Sequence, residues 1–295
     1  MGDYPKALSS YEQALKILLQ SLPPNHPHVA GSYNNIGNAY SDMGDYPKAL
    51  SSYEQALKIQ LQSLPPNHPD VASSYNNIGA AYSDMGDYPK ALSSYEQALK
   101  IREQSLPPNH PDVAGSYNNI GNAYSDMGDY PKALSSYEQA LKIREQSLPP
   151  NHPDVAGSYN NIGAAYSHMG DYPKALSSYE QALKIQLQSL PPNHPAVAGS
   201  YNNIGNAYSH MGDYPKALSS YEQAVKIREQ SLPPNHPDVA SSYNNIGNAY
   251  SDIGDQRTAV LFYTNAVQIV QEVLPSTHPH LQLIKRNLER AKQKL

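Results

Sequence analysis

Cysteine and tryptophan are absent from this chain, and phenylalanine occurs once. Without cysteine there is no disulfide framework, no thiolate nucleophile and no cysteine-type zinc site. Strong charge of one sign is missing too: 21 basic residues stand against 26 acidic ones, for a net charge of -5, and the basic residues are spread along the chain. A phosphate-binding footprint has no source here, so nucleic acid and anionic membrane are not expected partners. No membrane-length apolar run, no secretory leader and no Asn-X-Ser/Thr acceptor is legible, and the expected location is cytoplasmic.

What is present is repetition. The stretch from Tyr33 to Ile59, YNNIGNAYSDMGDYPKALSSYEQALKI, recurs with almost no change, and Tyr46, Tyr88, Tyr130, Tyr172 and Tyr214 stand in identical contexts 42 residues apart. An exact period implies one elongated domain, 1–295, in which each repeat touches its neighbours. The hydrophobic share of 39% is modest, but the 25 tyrosines all fall on the repeat lattice, with Gln256 its one gap within the six full repeats. They are structural.

Two helices are legible in each period. Helix A is expected from about Pro27 to Met43, opened by His26-Pro27 with proline in the first turn and ended by Gly44-Asp45. Tyr33, Ile36, Gly37 and Tyr40 share one face of it. Helix B starts near Tyr46-Pro47 and carries Ala49, Tyr53, Ala56 and Ile59 at helical spacing until Pro65-Pro66-Asn67 stops it. Gly37, Ala49 and Ala56 are small where the helices should cross, and Tyr40 and Tyr53 are large beside that crossing. A larger residue at Gly37 is expected to push the pair apart.

The set Tyr33, Ile36, Gly37, Tyr40, Gly44, Tyr46, Ala49, Tyr53 and Ala56 resembles the tetratricopeptide repeat (TPR) signature. That family's ordinary repeat is about 34 residues. The longer period here, with ALKIREQSLPPNHPDVA followed by YNNIG, is similar to the TPR domains of kinesin light chains. The resemblance implies an all-α fold, a right-handed α-solenoid superhelix of antiparallel helix pairs, with helix A on the concave side and helix B on the convex one.

The ends break the lattice. A lone helix B, Asp3 to Leu22, opens the chain, with Met1 in the place of Met43; six helix pairs then start near Pro27, Pro69, Pro111, Pro153, Pro195 and Pro237. By this division residues 1–26 hold the lone helix, 27–278 the six repeats and 279–295 a capping helix, which puts Lys285, Glu289 and Lys292 where other repeats have Tyr, Gly and Tyr. Charges there block further stacking, as a terminal cap must. A monomer is expected, because Glu289 at the close crossing disfavours joining the two ends.

Catalytic and metal chemistry find little support. Asn-His-Pro recurs in the six loops that open the repeats, but copies one repeat apart are separated by about 8–10 Å, the packing distance of helices, which is too far to share a metal. The histidine reads as a helix-start residue. His168 and His210 replace the aspartate found at Asp42, Asp84, Asp126 and Asp252, and offer at most a weak metal contact. No serine has a base and an acid arranged around it, and no glycine pattern cradles phosphate. Neither enzyme activity nor a cofactor is expected.

Helix A positions outside the core signature, Gly31, Asn34, Asn35, Asn38, Ser41 and Asp42 with their equivalents, should face the groove. They form two ladders: Asn34, Asn76, Asn118, Asn160, Asn202 and Asn244, then Asn35, Asn77, Asn119, Asn161, Asn203 and Asn245. A side-chain amide can pair with the backbone of an extended peptide, and the resemblance to kinesin light chains implies that role for Asn35 and its copies. The second asparagine reads equally as a bond between repeats; the first reads as exposed. The aspartates make the expected partner a protein or peptide segment that is not strongly acidic. The function expected is therefore a protein-interaction scaffold. Its rivals are a structural spacer or engineered array with no ligand, and the C-terminal part of a larger protein whose missing domain carries the activity.

Overall fold

The computed structural model describes residues 3–295, so Met1 and its register with Met43 lie outside it. The described residues form fourteen helices and no strands. They fall into two compact units that meet in sequence at Leu148 and Pro149.

The first unit contains α1 (Tyr4–Ser21), then the pairs α2 (Pro27–Asp42) with α3 (Tyr46–Ser63), α4 (Pro69–Asp84) with α5 (Tyr88–Ser105), and α6 (Pro111–Asp126) with α7 (Tyr130–Ser147). The second contains α8 (Pro153–His168) with α9 (Tyr172–Ser189), α10 (Pro195–His210) with α11 (Tyr214–Ser231), α12 (Pro237–Ile253) with α13 (Gln256–Val270), and finally α14 (Pro279–Gln293). In each unit a helix A packs most extensively on the helix B that follows it, and that helix B packs next on the following helix A.

Local chemistry sets these boundaries. The proline after each histidine drives the histidine into extended backbone, φ -71 and ψ 139 at His26, where its Nδ1 accepts the backbone N–H of His28 at 3.2 Å. The same cap opens α4, α6, α8, α10, α12 and α14. Helix A stops one residue short of its expected end, at Asp42, with Met43 as the cap, and α14 stops at Gln293 rather than Lys294. In α2 the cause is Gly44, whose φ of +76 lies in the left-handed region that glycine enters without steric cost; it lets Asp45 N–H reach back to Tyr40 O at 2.9 Å. Asp45 then caps α3 through Lys48 N–H, and the Lys48 ammonium both pairs with Asp45 at 2.7 Å and sits 5.2 Å over the Tyr40 ring. Three residues thus end one helix and start the next.

The crossing is as tight as its small residues require. Tyr53 is 4% exposed, Ala49 and Ala56 are fully buried, and a Cβ built on Gly37 would lie 2.5 Å from the Tyr53 ring. The obstacle to a larger residue is thus a side chain of the partner helix, not its backbone. Every copy of the crossing repeats this, from Gly79 against Tyr95 to Gly247 against Tyr263. At the other end, α14 buries Leu281, Ile284, Leu288 and Ala291, while Glu289 is exposed and pairs with Lys292 at 2.9 Å.

Candidate protein-interaction surface

The joints that follow a complete helix pair come in three chemical versions. Where helix B carries Gln-Leu, Gln60 Oε1 accepts the hydroxyl of Ser74 at 2.7 Å, and Ser74 Oγ also lies 3.3 Å from the side-chain amide oxygen of Asn34. Ser74 is fully buried, so that acceptor matters. Gln186, Ser200 and Asn160 repeat the arrangement at 2.8 and 3.3 Å. Where helix B carries Arg-Glu, the guanidinium donates to Ser116 Oγ at 2.7 Å and to the Asp112 carbonyl at 3.2 Å, and Tyr117 donates to Glu103 at 2.9 Å. Arg228, Ser242 and Asp238 do the same, with Tyr243 on Glu229. The last joint is apolar, with Val270 and Ile284 fully buried in those places.

Because the chain already uses both polar pairs, they should be interchangeable. Arg102 makes no ion pair among the described residues, and burial holds its guanidinium below its ordinary range against the weaker opposing pull of the Asp112 charge, so its hydrogen bonds offset a desolvation cost that glutamine avoids. Replacing Arg102 by Gln together with Glu103 by Leu is expected to change stability by less than about 1 kcal/mol in urea unfolding. A loss of several kcal/mol would show that each joint is tuned to its own repeat.

The helix A face carries the polar ladders. The first asparagine of each pair is not exposed as its sequence position suggests: Asn34, Asn76, Asn160 and Asn202 are half-buried and Asn244 is buried. Each sits at a joint and accepts a bond from the next repeat. Of the second asparagines, Asn119 donates Nδ2 to Asn76 at 2.9 Å and Asn245 donates to Asn202 at 2.9 Å, while Asn287 of α14 extends the row by donating to Asn244 at 3.0 Å. Asn118 and Asn161 also have partners. Asn35, Asn77 and Asn203 have none among the described residues.

Asn38 answers a different need. Tyr53 is buried, and its hydroxyl donates to Asn38 Oδ1 at 2.8 Å; Asn122, Asn206 and Asn248 serve Tyr137, Tyr221 and Tyr263 in the same way. In the second unit these residues line a polar recess of about 270 Å³ together with Ser209, His210, Asn245 and Asp252. His210 lies flat against Tyr172, ring centroids 4.6 Å apart. Among the described residues no three histidine or acidic side chains gather as a metal site, and no helix is long and apolar enough to cross a membrane.

Larger clefts lie on the other side, against helix B and the loop. One of about 530 Å³ is lined by Leu61, Val71, Tyr75, Lys100 and Ile101, and one of about 520 Å³ by their equivalents beside Leu187. The sequence reading missed them, although the change from Leu61 to Glu103 and back to Leu187 at equivalent positions was the available signal. They are wide, and their polar side chains, Asn67, Gln97, Lys100 and Gln104 in the first, stand among apolar ones. The helix A face is smaller in volume but holds convergent amides, hydroxyls and carboxylates, the groups that orient a polymer backbone.

Comparison with known proteins agrees with this architecture. The family description "Tetratricopeptide repeat" matches six overlapping segments, residues 1–62, 30–104, 70–146, 112–188, 154–230 and 196–272. Among solved structures, BtubC (BKLC) from P. vanneervenii superposes with a TM-score of 0.68 at 24% identity, over 80% of this chain and 96% of that one. A candidate kinesin light chain of Podosopora anserina with nearly identical TPR-like repeats gives 0.63 at 26% identity, over 70% and 98%. The apo form of RapI gives 0.66 at 18% identity, over 90% and 98%. No curated protein sequence matches the chain. The family match runs through all six repeats, the paired helices with their glycine–tyrosine crossings show why it does, and the chain belongs to the tetratricopeptide repeat family.

Proposed function

We propose that this chain is a scaffold that binds extended, non-acidic peptide segments along the face of its A helices. Tetratricopeptide repeat proteins generally mediate protein–protein interaction. The observation that favours this face is the state of its amides. Every buried side-chain nitrogen and oxygen among the described residues has a partner, yet Asn35, Asn77 and Asn203 keep both donor and acceptor free beside it. An amide with free valences on a rigid helix offers a peptide backbone a matched pair of hydrogen bonds at little entropic cost.

Charge selects the partner. Asp42, Asp84 and Asp126 lie exposed at the ends of α2, α4 and α6 in the first unit, and their negative charges would repel an opposing carboxylate. A neutral or mildly basic segment fits, held as a monomeric one-to-one complex. The test is a diverse peptide library screened against the protein and against a variant with Asn35, Asn77 and Asn203 changed to alanine. None of the three has a protein partner to lose, so both proteins should be equally helical. Binders are expected to weaken by about tenfold or more for each two amides lost, at roughly 0.5–1.5 kcal/mol apiece. Binders indifferent to the change, or no binders, would favour a spacer role.

A further inference from the structure

The two ladders are not uniform, although the sequence of helix A is nearly the same in every repeat. Asn77 and Asn203 are free; Asn119, Asn245 and Asn287 are tied to the preceding repeat. The difference tracks a residue on the opposite side of the stack. Both free amides belong to joints with glutamine on helix B, Gln60 and Gln186; the tied ones belong to joints with Arg102, Arg228 or Val270. The five joints within the two units that have an A helix on both sides obey this rule; the α1–α2 joint has no preceding A helix to offer Asn35 a partner.

The buried serine supplies the mechanism. With glutamine, the Ser74 hydroxyl is shared between two acceptors, Gln60 Oε1 at 2.7 Å and Asn34 Oδ1 at 3.3 Å. Asn34 then has a partner inside the joint and leaves Asn77 alone. With arginine, Ser116 Oγ is taken by the guanidinium and its proton turns to the Asp112 carbonyl at 3.2 Å. Asn76 is left without a hydroxyl, and its Oδ1 accepts from Asn119 instead. Where Ile284 stands in place of the serine there is no hydroxyl at all, and Asn287 donates to Asn244 as the same logic requires.

We propose that Gln60 and Gln186 are positioning residues that hold Asn77 and Asn203 open for a ligand backbone, whereas Arg102 and Arg228 tie off Asn119 and Asn245. This deepens the peptide-binding reading of the helix A face and rests on it for the ligand half. It also answers how near-identical repeats differ in the groove: the specificity pattern is written in helix B and read out on helix A. The grip would fall at selected joints rather than evenly along the ladder.

The coupling can be measured without a ligand. Solvent exchange of the Asn77 side-chain amide, followed by NMR, is expected to slow by about threefold to tenfold in the Gln60→Arg, Leu61→Glu variant, the range of one modest hydrogen bond. Ser74→Ala should slow it as well, with glutamine retained, and the reverse exchange Arg102→Gln, Glu103→Leu should speed exchange at Asn119. Fold is protected because each pair already stands elsewhere in the chain. Unchanged exchange at Asn77 in both variants would overturn the proposal.

A second arm uses a backbone-only probe, the acetylated and amidated peptide (Gly-Ser-Ala)3. It is expected to shift the Asn77 and Asn203 amide signals of the unmodified protein and to bind about threefold to tenfold more weakly to the Gln60→Arg, Leu61→Glu variant. Equal binding to both proteins overturns the ligand role of the open amides. If the probe binds neither protein while exchange follows the joints as stated, the peptide-binding reading fails and the positioning of Asn77 by Gln60 stands.

Discussion

Replacing Gly121 by alanine is expected to destabilise the protein by about 1–3 kcal/mol, while the same replacement at Gly115, six residues earlier in α6, should stabilise it by up to about 1 kcal/mol. Both glycines are helical, and both would gain the ordinary benefit of alanine, a smaller loss of backbone freedom on folding. Their surroundings decide the sign. A Cβ on Gly115 has nothing within 4 Å, whereas one on Gly121 would lie 2.5 Å from Cε1 and 2.6 Å from Cδ1 of Tyr137. Those atoms belong to the side of a ring that is 5% exposed and hydrogen-bonded through its hydroxyl to Asn122 at 2.9 Å, so it cannot swing away cheaply. Urea unfolding of the two single variants checks this. Pairing Gly121→Ala with Tyr137→Leu should cost less than the sum of the two changes, because each relieves the other. Equal effects at the two glycines would show that the crossing is looser than its geometry.

Much of this architecture is legible before any coordinates, and the reason is locality. The His-Pro starts, the Gly-Asp turns and the Pro-Pro stops are each decided within four residues, so their chemistry can be read straight off the sequence. The small–large pattern of Gly37, Ala49, Ala56 and Tyr53 is also visible, because helical spacing places those residues on one face. What escapes is the partner of a polar group far along the chain. Asn34 looks like an exposed helix residue because nothing near it in sequence claims it; its neighbour Ser74 is 40 residues away. Whether Asn77 or Asn119 is free depends on Gln60 or Arg102, and no local rule ties a helix B residue to an amide on another helix. Near-identity of the repeats hides the point further, since it suggests that equivalent asparagines behave equivalently.

The same buried tyrosines that fix the crossings should also set the alkaline limit of the fold. Desolvation pushes the hydroxyls of Tyr53, Tyr95, Tyr137, Tyr179 and Tyr263 up to about 12, and Tyr221 is raised further. An unfolded tyrosine ionises near about 10. The folded state therefore binds the proton more tightly, and the stability this represents is present in full below about pH 10 and is lost as pH rises through about 12. At about 1.4 kcal/mol for each tenfold change in proton affinity, discounted because solvent partly screens these hydroxyls, one ring is worth about 1–2 kcal/mol, and several together reach the lower part of the range of a typical domain's stability, about 5–15 kcal/mol. Cooperative unfolding is therefore expected between about pH 10 and 12.

The Lys–Asp pairs at the turns act in the same direction, because Asp45 raises the ammonium of Lys48 above its ordinary range and that support fades as the lysine deprotonates. They are exposed and screened by salt, so high ionic strength should leave the alkaline transition almost where it was. The decisive variant is Tyr95→Phe combined with Tyr179→Phe. Ala80 and Ala164 stand beside these two rings in place of the asparagine found at Asn38, so no tyrosine–asparagine bond is lost with the hydroxyl. Urea unfolding at neutral pH should change little, while the alkaline midpoint should move upward. A transition that tracks salt and ignores the two phenylalanines would assign the limit to the lysines instead.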